Sequence, residues 1–123
     1  MSSTILIIED EADIREVYTD VLKEAGFTVT EATDGEVGLS AALAGGWDLL
    51  LLDIMLPKID GLEILKKVRG QENLSHKPVV LLTNLGRESI IKEGFEVGAN
   101  GYLIKSELTP DQVVSEVKGF LNK

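Results

Sequence analysis

Thr4-Ile5-Leu6-Ile7-Ile8-Glu9-Asp10 and Leu49-Leu50-Leu51-Leu52-Asp53 are two short apolar runs, each ending in carboxylates. A continuous apolar run of this length, without alternation, reads as a strand covered on both faces, as in a parallel sheet flanked by helices. If the two runs share one sheet, their carboxyl ends bring Glu9, Asp10 and Asp53 together at one edge. Carboxylates that close repel one another unless a cation intervenes. The pattern therefore predicts a hard-cation site built around a potential nucleophile. Asp60 and Glu11 lie nearby in sequence, but their offsets suit a turn and a helix entry rather than ligation.

Outward from these runs, helical and strand patterns alternate. Ile14, Val17, Tyr18, Val21, Leu22 and Ala25 recur at helical spacing, and Gly26 follows as a left-handed stop. Residues 27–32 read as a strand, and Asp34-Gly35 then leads into an Ala/Leu-rich helix ending at Gly45-Gly46. Residues 62–68 are helical, 79–82 form another doubly covered strand, 87–97 a weaker helix containing Gly94, and Gly101-Tyr102-Leu103-Ile104 the last strand. Thr109-Pro110-Asp111-Gln112 opens the final helix as a capping box with proline in the first turn, and Val113, Val114, Val117, Phe120 and Leu121 supply its buried face. Five strands alternating with five helices predict an α/β doubly wound sheet with helices on both faces. Such sheets place their sites at the carboxyl ends of the strands, where the acids stand.

At 123 residues and 44% hydrophobic content, the chain suffices for one core and not two, so residues 1–123 are expected to form a single domain. With the final helix running almost to Lys123, no output domain is expected in this chain. Lys and Arg number 12 against 21 Asp and Glu, a net charge of −9 that repels phosphate backbones and anionic membranes, and no local basic patch relieves it. Direct nucleic-acid binding and membrane insertion are therefore not expected. The absence of cysteine excludes disulfide and thiol chemistry. The first apolar run is too short for a signal-peptide core or a membrane span, and a cytoplasmic location is the expectation.

These pieces, in this order and spacing, resemble the receiver domain of two-component response regulators over essentially the whole chain. The resemblance is carried by Glu9-Asp10 after the first strand, Asp53-Ile54-Met55-Leu56-Pro57 with Asp60-Gly61 after the third, Thr83 ending the fourth, and Tyr102 to Lys105 ending the fifth. It implies the flavodoxin-like, chemotaxis-regulator-like strand order 2-1-3-4-5. It further implies that Asp53 is a phosphoacceptor for a sensor histidine kinase or phosphotransfer protein, and that a downstream target protein reads the result. By the same resemblance Asp10, Asp53 and the backbone carbonyl of Met55 are direct Mg²⁺ (or Mn²⁺) ligands, with Glu9 acting through water. Lys105 is the cation facing the phosphoryl oxygens, Thr83 the hydroxyl that moves toward them, and Tyr102 the aromatic that turns inward in response. The chain would then participate in its own phosphoryl transfer and dephosphorylation without acting as an enzyme on another substrate.

Each residue alone has an ordinary reading. An Asp after a strand is commonly a helix cap, Thr83 a strand end, Tyr102 a packed aromatic, and Lys105 a solvated charge. His76 sits in a polar loop and reads as exposed, and Trp47 reads as packing ahead of the third strand. Some positions also depart from the usual receiver pattern. Glu9 replaces the commoner Asp, Asn84 stands where a small residue is usual and would modulate the phosphoryl site, and Asn100-Gly101-Tyr102 lacks the paired acids used for dimer salt bridges. Ser106 replaces the proline after Lys105, so the intervening peptide is expected to be trans, since cis costs a non-proline bond about 2.5 to 4 kcal/mol.

Other functions fit less well. A flavin- or nucleotide-binding domain of the same architecture needs phosphate-holding amides after the first strand, where this chain has Glu9-Asp10-Glu11. An aspartyl phosphatase needs a second acid where Met55 stands. A receiver-like interaction module that no longer cycles through phosphorylation is the remaining alternative, kept open by Asn84 and Ser106 and opposed by Asp53, Thr83 and Lys105.

Overall fold

The computed structural model describes residues 3–84, 88–105 and 107–122. The elements follow in strict alternation: β1 (Thr4–Ile8), α1 (Ala12–Glu24), β2 (Thr28–Ala32), α2 (Gly35–Ala44), β3 (Leu49–Asp53), α3 (Gly61–Arg69), β4 (Val79–Thr83), α4 (Glu88–Val97), β5 (Gly101–Ile104) and α5 (Pro110–Leu121). All neighbouring strands pair in parallel, in the order β2-β1-β3-β4-β5. This is the expected doubly wound, flavodoxin-like sheet.

The unbroken apolar runs are explained by the two faces they cover. Leu6, Ile8, Leu50 and Leu52 pack with Ile64, Leu65 and Val68 of α3 on one side. Ile5, Ile7, Leu49 and Leu51 pack with Tyr18 and Leu22 of α1 and with Val113 and Val117 of α5 on the other. Successive strand residues point to opposite faces, so a strand buried on both must be apolar at every position. Trp47 is buried ahead of β3, its indole N–H donating to the Ala42 carbonyl at 2.9 Å. His76 is exposed.

Local differences from the sequence reading have local causes. Residue 27 was expected in β2, but the Phe27 N–H donates to the Leu22 carbonyl at 3.0 Å, closing the end of α1 instead of joining the ladder. Gly26 makes that closure at φ 99°, as its place after the helix predicts. Val17 was expected on the buried face of α1 and is 45% exposed. The apolar stripe of that helix is narrower than its composition suggests. The expected capping box is present at α5, with Thr109 and Gln112 exchanging side-chain-to-backbone bonds. Arg87 lies outside the described residues, and α4 covers the rest of its expected span.

The sheet register positions the site. Ile8 pairs with Leu52, so the next residues, Glu9 and Asp53, emerge side by side at the carboxyl edge. Thr83 pairs with Ile104, and the Lys105 N–H donates to the Thr83 carbonyl at 2.9 Å, which brings Lys105 to the same edge.

Candidate functional site

Carboxylate oxygens of Glu9, Asp10 and Asp53 lie within 4.8 Å of one another, with Glu9 and Asp53 buried and Asp10 exposed. Asp53 uses both oxygens: Oδ1 accepts from the Met55 N–H at 3.0 Å and Oδ2 from the Lys105 ammonium at 3.0 Å. The first bond ties the start of the loop after β3 to the acid. That loop is closed by Gly61, whose N–H donates to the Ile54 carbonyl at 2.9 Å. A Cβ at Gly61 would collide with the Asp53 carbonyl oxygen, so only glycine lets α3 start this close to the site. Asp60 caps α3 by accepting from the Glu63 N–H at 3.0 Å, a helix-entry position of the kind expected for Asp60 and Glu11.

Lys105 is the cation of the cluster. Its ammonium stands 2.6 Å from Glu9 Oε1, 3.0 Å from Asp53 Oδ2 and 3.5 Å from Glu11 Oε1, with its side chain 5% exposed. Burial draws its pKa down, but Glu9 and Asp53 outweigh burial, and the net shift is upward. The ammonium is therefore charged throughout the neutral range. Glu11 begins α1 as expected, yet its carboxylate also reaches Lys105, which the sequence did not reveal.

Glu9 carries the unbalanced charge. Burial first, and then the neighbouring Asp53, push its carboxyl up to about 8, against the opposing pull of Lys105 and of the Glu11 N–H. Its Oε2 accepts from the Glu11 N–H at 3.1 Å, while its buried Oε1 faces the Lys105 ammonium at 2.6 Å. Among the described residues, Glu9, Asp10, Glu11 and Asp53 crowd one ammonium, so positive charge is in deficit whenever Glu9 is ionised. An oxygen-rich group whose carboxylate oxygens lie this close together suits a hard divalent cation such as Mg²⁺.

Thr83 is buried, and its hydroxyl donates to the Asn84 carbonyl at 3.2 Å. Asn84 itself is exposed at the end of β4. Tyr102 lies on β5 and is 43% exposed, its ring meeting Phe95 of α4 edge-on at a centroid distance of 6.1 Å. Ser106, and with it the peptide expected to be trans, lies outside the described residues. Two features of the surroundings were missed from sequence. Arg15 of α1 reaches back to the Glu9 carbonyl, and Lys58 holds the loop after β3 at φ 71° while pairing with Asp34 at 3.4 Å.

Residues 5–118 match the response regulator receiver domain model. The chain belongs to the response regulator receiver family. The receiver is 36% identical over 123 residues to the transcriptional regulatory protein SrrA of Staphylococcus aureus, and it spans 49% of that relative's length. Among solved structures it superposes with a TM-score of 0.92 on a Chloroflexus aurantiacus chain described as a response regulator, at 36% identity and full coverage of both chains. It also matches the chemotaxis response regulator CheY4 of Vibrio cholerae at a TM-score of 0.90 and 28% identity, covering 98% of this chain and 99% of that one. The receiver is thus a signalling domain of the phosphorylation-dependent two-component class, and its acidic group is compatible with Mg²⁺. Among the described residues no helix is long and apolar enough to cross a membrane.

Proposed function

We propose that residues 1–123 work as one receiver unit in which Asp53 takes a phosphoryl group from a phosphohistidine of a sensor kinase or phosphotransfer protein. The observation that carries this reading is the Lys105 ammonium, buried and 3.0 Å from Asp53 inside a cluster of carboxylates. A lysine kept dry in this way has one ordinary use, balancing negative charge that surface water cannot reach.

A carboxylate oxygen of Asp53 attacks phosphorus, the phosphorus–nitrogen bond to histidine breaks, and an acyl phosphate forms with the histidine as leaving group. Asp10, Asp53 and the Met55 carbonyl would hold Mg²⁺ (or Mn²⁺), with Glu9 acting through water. When bound, the ion offsets charge on the carboxylates and the incoming phosphoryl oxygens. Lys105 sits where it can exchange its contact with Asp53 for one with a phosphoryl oxygen, staying paired with Glu9 throughout. Thr83 gives up its weak bond to Asn84 to donate to another oxygen. The movement of Thr83 frees space along β4 into which Tyr102 turns, so that phosphate shifts the population between two surfaces read by a downstream target. Asn84, exposed beside Thr83, would bond a phosphoryl oxygen or an attacking water and so set the lifetime of the acyl phosphate.

Intact-mass measurement after incubation with acetyl phosphate tests the reading. Wild type with Mg²⁺ should gain a single phosphoryl group, and both Asp53→Asn and chelator-treated wild type should gain none. Equal modification of Asp53→Asn would overturn it.

A further inference from the structure

Arg15 of α1 bridges the acidic loop and the outermost strand. Its Nη1 donates to the Glu9 carbonyl oxygen at 2.8 Å and its Nε to Glu31 Oε1 at 3.1 Å. The Arg15 side chain is 14% exposed, with the bond to the Glu9 carbonyl part-buried and the one to Glu31 at the surface. Both partners stand at the carboxyl ends of adjacent strands, because Ile7 pairs with Glu31 and the Glu9 N–H continues the ladder to the Ala32 carbonyl at 3.1 Å.

The carbonyl that Arg15 holds belongs to the same planar peptide as the Asp10 nitrogen. Fixing that oxygen fixes the plane from which the Asp10 side chain departs. Asp10 needs such support more than its neighbours do. Glu9 is clamped by burial and Asp53 by hydrogen bonds to both oxygens, whereas Asp10 is exposed and, among the described residues, its carboxylate takes no hydrogen bond. A guanidinium suits the task because its rigid fork has donors in fixed directions, so Glu31 on one edge aims the other at the carbonyl.

We infer that Arg15 is a positioning residue for the cation site, holding the Glu9–Asp10 peptide so that the Asp10 carboxylate faces Asp53, with Glu31 orienting the guanidinium. The inference rests on the divalent-cation reading above and extends it to residues outside the acidic cluster. Partners that orient metal ligands typically change affinity by about 10- to 100-fold when removed. The indirect route through a peptide puts Arg15 at the lower end of that range.

Calorimetric titration of Mg²⁺ into the full chain reads the effect without any phosphodonor, alongside melting temperatures in chelator. Arg15→Met should bind Mg²⁺ about 10-fold more weakly than wild type, Arg15→Lys should recover part of the loss, and Glu31→Gln should show a smaller loss in the same direction. Wild-type affinity in Arg15→Met would overturn the inference, whether or not its melting temperature in chelator falls, because a purely structural brace lowers stability and leaves affinity alone. If Arg15→Met does not fold, the partly exposed Glu31 decides: weaker binding by Glu31→Gln supports the role and unchanged binding overturns it. Failure of wild type itself to bind Mg²⁺ would instead remove the cation reading on which the inference stands.

Discussion

Lys105 and Glu9 meet 2.6 Å apart at the base of the acidic pocket, with side chains 5% and 0% exposed. Taking both charges out of water is costly, and removing one partner of such a pair leaves the other uncompensated, typically at about 3 kcal/mol or more. Lys105→Met should therefore destabilise the receiver by about 3 kcal/mol at pH 8 in chelator. At pH 5.5 the loss should be smaller, because Glu9 then carries a proton and the contact with Asp53 is what removal of the ammonium still breaks. Denaturant melts at the two pH values measure the difference. An equal loss at both would mean that the charge of Glu9 adds nothing to what Lys105 contributes.

Glu9 also gives the cation-free receiver an unusual pH dependence. Its carboxyl is raised from 4.5 to about 8 on folding, so between those values the folded state binds more protons than the unfolded state. Unfolding free energy then falls as pH rises through this window. The raised Lys105 contributes nothing to the slope there, since it is protonated in both states until the pH nears its ordinary value of 10.5. In chelator, stability should decline from pH 5 to pH 8, and Glu9→Gln should flatten the decline. Saturating Mg²⁺ should oppose it, because a cation binds the ionised form. A flat wild-type profile in chelator would contradict the assigned direction of the shift.

The loop after β3 contains a local strain that can be relieved. Lys58 holds φ 71°, a left-handed conformation that costs a side-chain-bearing residue about 1 kcal/mol. Its ion pair with Asp34 is solvent-facing, the lysine side chain being 54% exposed, and such pairs contribute little. Lys58→Gly should be more stable than Lys58→Ala, by up to about 1 kcal/mol, since both lose the pair and only glycine loses the strain. Chemical denaturation of the two variants decides, and the reverse order would show that the turn is unstrained.

Much of the site could be read from sequence because strand ends are set by where apolar runs stop. The Ile8–Leu52 register follows from two buried runs lying side by side, and it alone brings Glu9 beside Asp53. Asp60 was readable as a turn or helix-entry residue because such roles are local, here spanning the few residues to Glu63. Arg15 was not readable: its partner Glu31 lies 16 residues away on an edge strand, and a long charged side chain on a helix gives no sign of which way it turns. Glu11 was missed for the same reason, since its offset fixes the helix start but not the reach of its carboxylate to Lys105. Val17 was misplaced because helical periodicity locates a face without its width.

Coupling between Thr83 and Tyr102 can be followed at the ring itself. Tyr102 is 43% exposed while Tyr18 is 5% exposed, and these are the chain's 2 tyrosines, so Tyr18 serves as an internal reference. With fluorotyrosine incorporated, acetyl phosphate and Mg²⁺ should reduce the solvent accessibility of Tyr102 and leave Tyr18 unchanged. Thr83→Ala should still take up phosphate yet keep Tyr102 exposed. Loss of Tyr102 exposure in that variant on phosphorylation would separate the ring from the hydroxyl and end the coupling proposal.

The position of the acyl phosphate itself is the decisive matter, because every role assigned to the surrounding residues is defined relative to Asp53. Borohydride reduction of the receiver after acetyl phosphate and Mg²⁺ treatment converts a phosphorylated aspartate into a stable alcohol that peptide mass mapping can locate. The reduced residue should be Asp53 and no other acid, and its formation should cease in chelator. Reduction at Glu9, Asp10 or Glu11 in place of Asp53, or the absence of any reduced residue under conditions where Mg²⁺ binds, would contradict the account.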